Sequence, residues 1–430
     1  MSGRAEASRG SGRESNPAAR ELRVAVLGAG GTIAPAIVRD LTESEEVVAL
    51  LLLDLDEGRA EQVASRYGGA KARARRVDAR AAAGDPEALW RALEGYDVLV
   101  NSASYRVNAD AMEACLEARC HYLDLGGLYW MTDRQLELDP AFKEAGLLAL
   151  LGIGSAPGKT NLMALRAVRE LGAPAEAIHV SAAGRDLDPP DGFSVPYALQ
   201  TLLDELTLRP VVLRDGAPLQ IATLQAGGRV DFGAPIGPAE TIHTLHSEVR
   251  TFGDSFGCRE ASFRLSLSPD LLSELRALAG VPEAEIRRRA AEAKPPSSRT
   301  VSVHLVEASA DGRSVRVRAA TEPINRWELG GGVVSTAAPA AAAVRLLARG
   351  SIEARGALPP ERCIEPDEMF AELEPRGCRF EVSRDDDSLV STAESRHSVG
   401  ARDKDEGPAA RAPRADRERA LLADQGEVVG

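Results

Sequence analysis

The apolar run Leu22–Leu27 leads directly into Gly28-Ala29-Gly30-Gly31-Thr32-Ile33 and then into an amphipathic helical pattern with Ile33, Ile37, Val38 and Leu41 on one side. Strand, glycine turn and helix in that order describe the phosphate-binding corner of a dinucleotide fold. Gly28 lets the chain turn sharply, and Gly30 has no side chain to block a pyrophosphate. The amides and dipole at the helix start can then hold the phosphates. Pro35 falls in the first helical turn, where a missing N–H costs little. Ile33 stands where the usual third glycine would be, which implies a slightly wider helix–strand gap. A second apolar run, Val47–Leu53, ends at Asp54, 26 residues after Gly28. A carboxylate there accepts both ribose hydroxyls of NAD and repels a 2′-phosphate. Asp56 strengthens that preference, while Arg59 keeps NADP within reach. The competing reading of Asp54 is a helix cap.

From 22 to 151 strand and helix signals alternate, with strands expected near Ala74–Val77, Asp97–Asn101, His121–Leu125 and Leu147–Leu151. Helices are expected at Glu57–Tyr67, after Asp85-Pro86, at Asn108–Ala118 and at Thr132–Ala145. Repeated βα units specify a Rossmann-type parallel sheet with helices on both faces. Asp78, after the third strand, is a candidate for the adenine edge or a solvated loop acid. Asn101, Ser102 and Ser104 follow the fourth strand at the end where ligands gather, and read as a cofactor wall or a plain Ser/Asn turn. From about 175 the rhythm changes. Short strands are expected at Ile178–Gly184, Val211–Arg214, Leu219–Leu224, Arg229–Phe232 and Ile242–Val249, and helices at Pro269–Leu278 and Glu283–Ala293. Thr300–Ala308 and Ser314–Ala320 flank the hairpin turn Ala310-Asp311-Gly312. The fold class is therefore α/β, a Rossmann domain (22–151) plus a second α+β domain (152–334) with a mainly antiparallel sheet. A return segment (335–383), opening with helix Ser335–Ala348, packs on the Rossmann domain. Tails at 1–21 and 384–430 are too polar and charged to order.

A formal net charge of −13 argues against a nucleic-acid binder, since no cationic field would attract a phosphate backbone. Five cysteines (115, 120, 258, 363, 378) form no CxxC and no metal-ligand spacing, so neither disulfides nor a metal site is expected. No apolar run approaches the roughly 20 residues that span a bilayer, and residues 1–21 lack the apolar core of a signal peptide. A cytoplasmic enzyme with a small-molecule substrate and no membrane partner is expected.

Gly152-Ile153-Gly154-Ser155-Ala156-Pro157-Gly158-Lys159-Thr160 also joins a strand to a helix and ends in Gly-Lys-Thr. A P-loop needs four residues between its first Gly and the Gly-Lys pair; Gly154 leaves three and Gly152 five. A turn and helix entry facing the cofactor fits better, with Lys159 and Asn161 available to a substrate. His243 and His246 fall on opposite faces of the expected strand, so at most one of them points at the site. His246 is the candidate, set against a hydrogen-bonded core histidine. Arg259 can fork onto a carboxylate, or can sit in a surface ion pair. Tyr105, beside the cofactor loop, and Tyr197 are candidates to hydrogen-bond substrate, or packed aromatics with satisfied hydroxyls. The candidate catalytic set is thus His246, Tyr105 and Asn161, with Arg259, Tyr197 and Lys159 on the substrate.

VAVLGAGG…LLLDLD, NSASYRVNADAMEACLEARCHYLDL, LGIGSAPGKTNLMAL, PYALQTLLDELTLRPVVLRDG, PIGPAETIHTLHSEVRTF and the segment from Ala348 to Gly377 occur in this order. In that order the chain resembles the saccharopine dehydrogenase family, including the related carboxynorspermidine dehydrogenases. Lys159 departs from the usual apolar residue of the Gly-x-x-Pro-Gly-x-x-Asn segment. The resemblance implies hydride transfer between NAD, or NADP, and the carbon of a secondary amine that links an amino acid or polyamine to a carbonyl-derived carbon. A carboxynorspermidine-type NADPH reductase and a non-catalytic dinucleotide-binding regulator are the alternatives. The second domain's sheet offers a surface for a homodimer.

Overall fold

A computed structural model describes residues 19–80, 85 and 87–385. The expected tails fall mostly outside them. The described residues reach beyond 22–383 at both ends, with the Arg20 amide bonded to Ala348 O and a strand running to Asp385.

The first unit runs β1 (Leu22–Leu27), α1 (Ala34–Glu43), β2 (Val47–Asp54), α2 (Glu57–Val63), β3 (Ala72–Arg76), α3 (Ala88–Leu93) and β4 (Val98–Asn101). It continues with α4 (Asn108–Ala118), β5 (His121–Asp124), α5 (Leu128–Leu136), α6 (Asp139–Ala145) and β6 (Leu148–Leu150). The helix expected at 132–145 is two helices, because Pro140 belongs to the first turn of α6 and cannot continue α5. α1 starts at Ala34 rather than Thr32, since the preceding residues form a turn closed by Gly31 N–H to Gly28 O, 3.0 Å.

After loop 151–158, α7 (Lys159–Leu171) opens the second unit, followed by β7 (Ala177–Asp186), α8 (Leu199–Thr207), β8 (Val211–Arg214), β9 (Ala217–Gln220) and β10 (Ala226–Asp231). Then come β11 (Pro238–His243), α9 (Glu248–Phe256), β12 (Glu260–Ser266), α10 (Pro269–Leu278), α11 (Glu283–Glu292), β13 (Thr300–Ala310) and β14 (Arg313–Thr321). α12 (Gly331–Ala348), β15 (Gly356–Leu358), α13 (Pro366–Leu373) and β16 (Cys378–Asp385) complete the chain. The strand expected over 242–249 stops at His243, and Glu248 instead begins α9, where a carboxylate complements the helix dipole.

The first sheet is seven-stranded in the order β15-β6-β5-β4-β1-β2-β3, with every pair parallel. β2, in the interior of the sheet, is buried along Leu50–Leu53, as expected of a strand covered on both faces. The second sheet runs β10-β11-β12-β7-β13-β14-β16, with β8 and β9 appended to β12. Only β12 and β7 pair in parallel. Asp311 and Gly312, both at positive φ, make the β13–β14 turn. The return segment does not stay on the first unit. β15 joins β6, but β16 crosses back to pair with β14, which would otherwise be an open edge.

One hydrophobic cluster runs through both units, from β1 and α1 across α7 and α12 to β12–β14. α12 is long and apolar enough to cross a membrane, but 83% of that stretch is buried. Its run Ala340–Ala343, fully buried, lets it pass close to α1 and β13.

Candidate functional site

The glycine turn is built against two neighbours. Gly28 has φ +75°, and a Cβ there would lie 2.6 Å from the backbone N and Cα of Ala103. Only glycine brings the turn after β1 this close to the loop after β4. A Cβ on Gly30 would meet Arg59 Cβ at 2.8 Å. Gly30 N–H donates to Asp54 Oδ2 at 2.8 Å, and Asp56 N–H to Asp54 Oδ1 at 2.9 Å. The helix cap of α2 is Asp56, whose Oδ1 accepts from Arg59 N–H at 3.1 Å. Asp54 therefore does not cap. Each of its oxygens takes one amide and retains lone-pair capacity toward a ribose hydroxyl. Thr32 and Ile33 precede α1, in whose first turn Pro35 carries no N–H and Ala36 N–H turns back to Ile33 O at 3.1 Å.

The other expected cofactor contacts are placed differently. Asn101 is buried; its Nδ2 donates to Asn108 Oδ1 (3.0 Å) and Tyr122 Oη (3.2 Å), and its Oδ1 accepts from Ala103 N–H (3.0 Å). Ser102 Oγ donates to Leu27 O at 2.8 Å, and Ser104 Oγ accepts from Arg106 N–H at 3.4 Å. These side chains shape the loop after β4 from beneath. Asp78 is held by Arg80 at 2.6 Å, which lowers its pKa, so it is engaged in a solvated ion pair.

Asp124 joins the loops at the C-terminal ends of the strands. Its Oδ1 accepts from Gly126 N–H and Gly152 N–H, both at 2.8 Å, and its Oδ2 from Gln135 Nε2 at 2.6 Å. Burial raises its pKa, with the hydrogen bonds from Gln135 and the two amides pulling the other way. Its signal in the sequence is an acid between Leu123 and Leu125, just before Gly126-Gly127, at the end of an apolar strand.

A second polar group hangs from the cofactor loop. The Tyr105 hydroxyl and Arg106 Nη2 both donate to Asp204 Oδ2 of α8, at 2.8 and 2.7 Å. Tyr197 donates to Glu205 Oε2 at 2.6 Å. His246 lies beyond β11, stacked on Phe263 with ring centroids 3.5 Å apart. Its Nδ1 is 3.2 Å from Glu248 Oε2 and its Nε2 3.8 Å from Glu205 Oε2. Burial works against its charge, but Glu248 and Glu205 overcome that and lift the pKa to about 9. Glu248 also accepts from Thr160 Oγ1 at 2.8 Å. Asp204, Glu205 and Glu248 were not expected from the sequence. Beside His246 in the chain, Thr244 Oγ1 and Ser247 Oγ are buried without hydrogen-bond partners, as is Trp130 Nε1 of α5, and Ser247 Oγ lies 4.0 Å from where a Gly126 Cβ would be.

Three expected residues do not converge here. Arg259 is exposed and paired with exposed Asp215 at 3.0 Å, its amide bonded to Glu176 O at the N-terminal end of β7. Thr160 and Lys159, by contrast, lie at the other end of that sheet. Lys159 is 1% exposed and donates to Ser335 Oγ (2.7 Å) and Thr321 Oγ1 (3.2 Å). Asn161 is buried; its Oδ1 accepts from Gly158 N–H and its Nδ2 donates to Glu361 Oε2, both at 2.8 Å, so it holds the loop 152–158. Among the described residues no group of His, Cys, Asp or Glu is arranged to hold a metal ion.

A seven-stranded parallel sheet, a glycine turn after β1 and an acid closing β2 define a Rossmann-type protein with a second α+β unit. Residues 24–150 match the family described as saccharopine dehydrogenase NADP binding domain. Carboxyaminopropylagmatine dehydrogenase of Synechocystis sp. is 30% identical over 154 residues, 34% of this chain and 38% of that protein. The chain thus aligns with little more than a third of that relative. Apo saccharopine dehydrogenase (L-Glu forming) from Saccharomyces cerevisiae shares the fold, with a TM-score of 0.61 at 15% identity, covering 85% of this chain and 100% of that one.

Proposed function

We propose that the protein is an NAD-dependent oxidoreductase of saccharopine dehydrogenase type that acts on the C–N carbon of a secondary amine. Within that class the reading favours a carboxylated polyamine or guanidino-amine over a dicarboxylic amino acid. The carrying observation is the Tyr105–Asp204 hydrogen bond, which ties the cofactor loop to the Asp204-Glu205 pair beside His246. Around that junction Asp204, Glu205 and Glu248 face two cations, Arg106 and His246, and the one arginine proposed to fork a substrate carboxylate lies elsewhere. A cationic amine suits such surroundings better than two carboxylates do. The name of the Synechocystis relative supports the same class.

The residues present fit the cofactor, because Gly28 and Gly30 leave a cradle that a Cβ would fill. Asp54 would hold the adenosine ribose, and the amides ahead of α1 the pyrophosphate. When bound, the nicotinamide supplies the hydride acceptor or donor. The chain's own part is to hold the amine and manage its proton. His246 carries a proton below about pH 9 and, fixed between two carboxylates, can return it to an amine nitrogen. Trp130, Thr244 and Ser247 offer the unsatisfied polar atoms that a substrate can meet.

The test is direct. Titrate NADH and NADPH by cofactor fluorescence, then offer N-carboxyalkyl polyamines and N-carboxyalkyl amino acids with the oxidised cofactor and follow its reduction. Turnover of the polyamine adducts above the amino acid adducts supports the reading. Binding without turnover of either class would leave a dinucleotide-binding regulator instead.

A further inference from the structure

Lys159 opens α7 and Cys378 opens β16, 219 residues apart, yet Lys159 Nζ lies 3.9 Å from Cys378 Sγ. Both side chains are buried, at 1% and 3% exposure. The remaining Nζ contacts are the hydroxyls of Ser335 and Thr321. Thr321 is also the cross-strand partner of Cys378 in the β14–β16 ladder, so one pair of residues positions both nitrogen and sulfur. Among the described residues no carboxylate pairs with this lysine. Burial without a counter-charge pushes its pKa down, and burial likewise pushes His304 close by well below its ordinary value. A lysine placed 3.9 Å from a thiol, its pKa lowered, is poised to act on that sulfur as base and nucleophile.

We propose that Lys159 and Cys378 form a modification site that a hydroperoxide closes into a covalent sulfur–nitrogen cross-link. In the first step the Lys159 amine takes the thiol proton. The thiolate attacks one peroxide oxygen, the O–O bond breaks, and the departing hydroxide takes the proton back as water. Sulfur is oxidised to a sulfenic acid and the peroxide is reduced. In the second step the neutral amine attacks sulfur. The N–S bond forms, the S–O bond breaks, and hydroxide leaves with one amine proton as a second water. The product is a sulfenamide, the lysine counterpart of the known condensation of sulfenic acid with a nitrogen. A thiol reductant reverses it by attack on sulfur.

The cross-link would tether the first residue of α7, directly after the loop 152–158, to the edge strand of the second sheet. It would also close a loop of 219 residues, which constrains the unfolded chain.

Treat the full chain with hydrogen peroxide, quench, digest with trypsin and map the peptides. The expected product joins the Lys159 and Cys378 peptides, two hydrogens lighter than their sum, uncut at Lys159 and separated again by dithiothreitol. Its formation should raise the melting midpoint. Cys378→Ser and Lys159→Arg should each abolish both the linked peptide and the shift. Cys115 and Cys120 lie in thiol contact, and their disulfide would cause the same mass loss in the intact protein. The linked peptide must therefore persist in a Cys115→Ser/Cys120→Ser variant. Oxidation of Cys378 only to sulfinic acid, or a peroxide-treated chain in which the Lys159 peptide stays unlinked, overturns the proposal.

Discussion

Asp54 Oδ2 accepts the amide of Gly30 at 2.8 Å, which joins the end of β2 to the glycine turn after β1. The bond does two things at once. It holds the turn that would receive the pyrophosphate, and it aims the carboxylate at the place where a ribose would lie. Asp54→Ala should weaken NADH binding by about 1–3 kcal/mol, the range for losing a charged hydrogen-bond acceptor. Fluorescence titration measures it. Unchanged affinity would mean that the carboxylate serves only Gly30 and Asp56.

Gly28→Ala tests the cradle from the other side. The new methyl would press on the Ala103 backbone, at a positive φ that alanine adopts poorly. Binding of NADH should fall by about tenfold or more, where each tenfold step corresponds to about 1.4 kcal/mol. The melting midpoint should fall with it. Gly95, also at positive φ but with open space around it, is the control: Gly95→Ala should lower the midpoint through backbone strain and leave binding alone.

β1, α4 and β8 have the expected limits, because the apolar period of each is closed by a turn signal at both ends. α8 was not expected, although Leu199, Leu202, Leu203 and Leu206 recur at helical spacing. β12 also escaped, although Ala261, Phe263 and Leu265 alternate with Glu260, Ser262 and Arg264, because a central strand with a polar outer face looks like a loop. Those two elements carry Asp204, Glu205 and Phe263, so the surroundings of His246 could not be assembled from the sequence. Asn101, Ser102 and Lys159 were found as polar residues near ligand-binding turns, but residue type does not say which way a side chain turns. Here Asn108, Leu27 and Ser335 decide it.

His246 should leave a signature in stability against pH. Its folded pKa, about 9, lies above its ordinary 6.5. The folded chain thus binds a proton that the unfolded chain releases. Its contribution is complete below about pH 6.5 and is lost as pH rises through about 9, at about 1.4 kcal/mol per pH unit within that window. Urea unfolding across this range should show that slope in the wild type and a flatter line in His246→Gln. Equal slopes would place the proton elsewhere.

The Tyr105 hydroxyl, its pKa raised by burial and then by the Asp204 charge, stays protonated as a donor. Tyr105→Phe should cost about 1 kcal/mol of stability and leave NADH binding intact, since the ring does not replace the glycine cradle. If the loop after β4 is positioned by this bond, kcat on a secondary-amine substrate should drop more than KM changes. A variant with wild-type kcat would reduce Tyr105 to a packed aromatic.

The last test concerns what holds α12, and with it the second unit, against the Rossmann sheet. Asp40 of α1 is fully buried and accepts from Arg345 Nη1 at 3.0 Å and Arg376 Nη2 at 2.9 Å. Arg345 in turn donates to Glu372 at 2.5 Å and to Ser44 Oγ at 3.0 Å. Asp40→Ala would leave Arg345, Arg376 and Arg349 sharing the single carboxylate of Glu372, with Arg345 fully buried. Removing one partner of a buried pair costs about 3–5 kcal/mol, more than the pair itself contributes. The melting midpoint should therefore fall sharply. The start of α1 lies nearly two turns from Asp40, so NADH affinity, measured where the variant is still folded, should be unchanged. A loss of affinity in step with stability would mean that the junction with α12 also sets the geometry of the phosphate-binding turn.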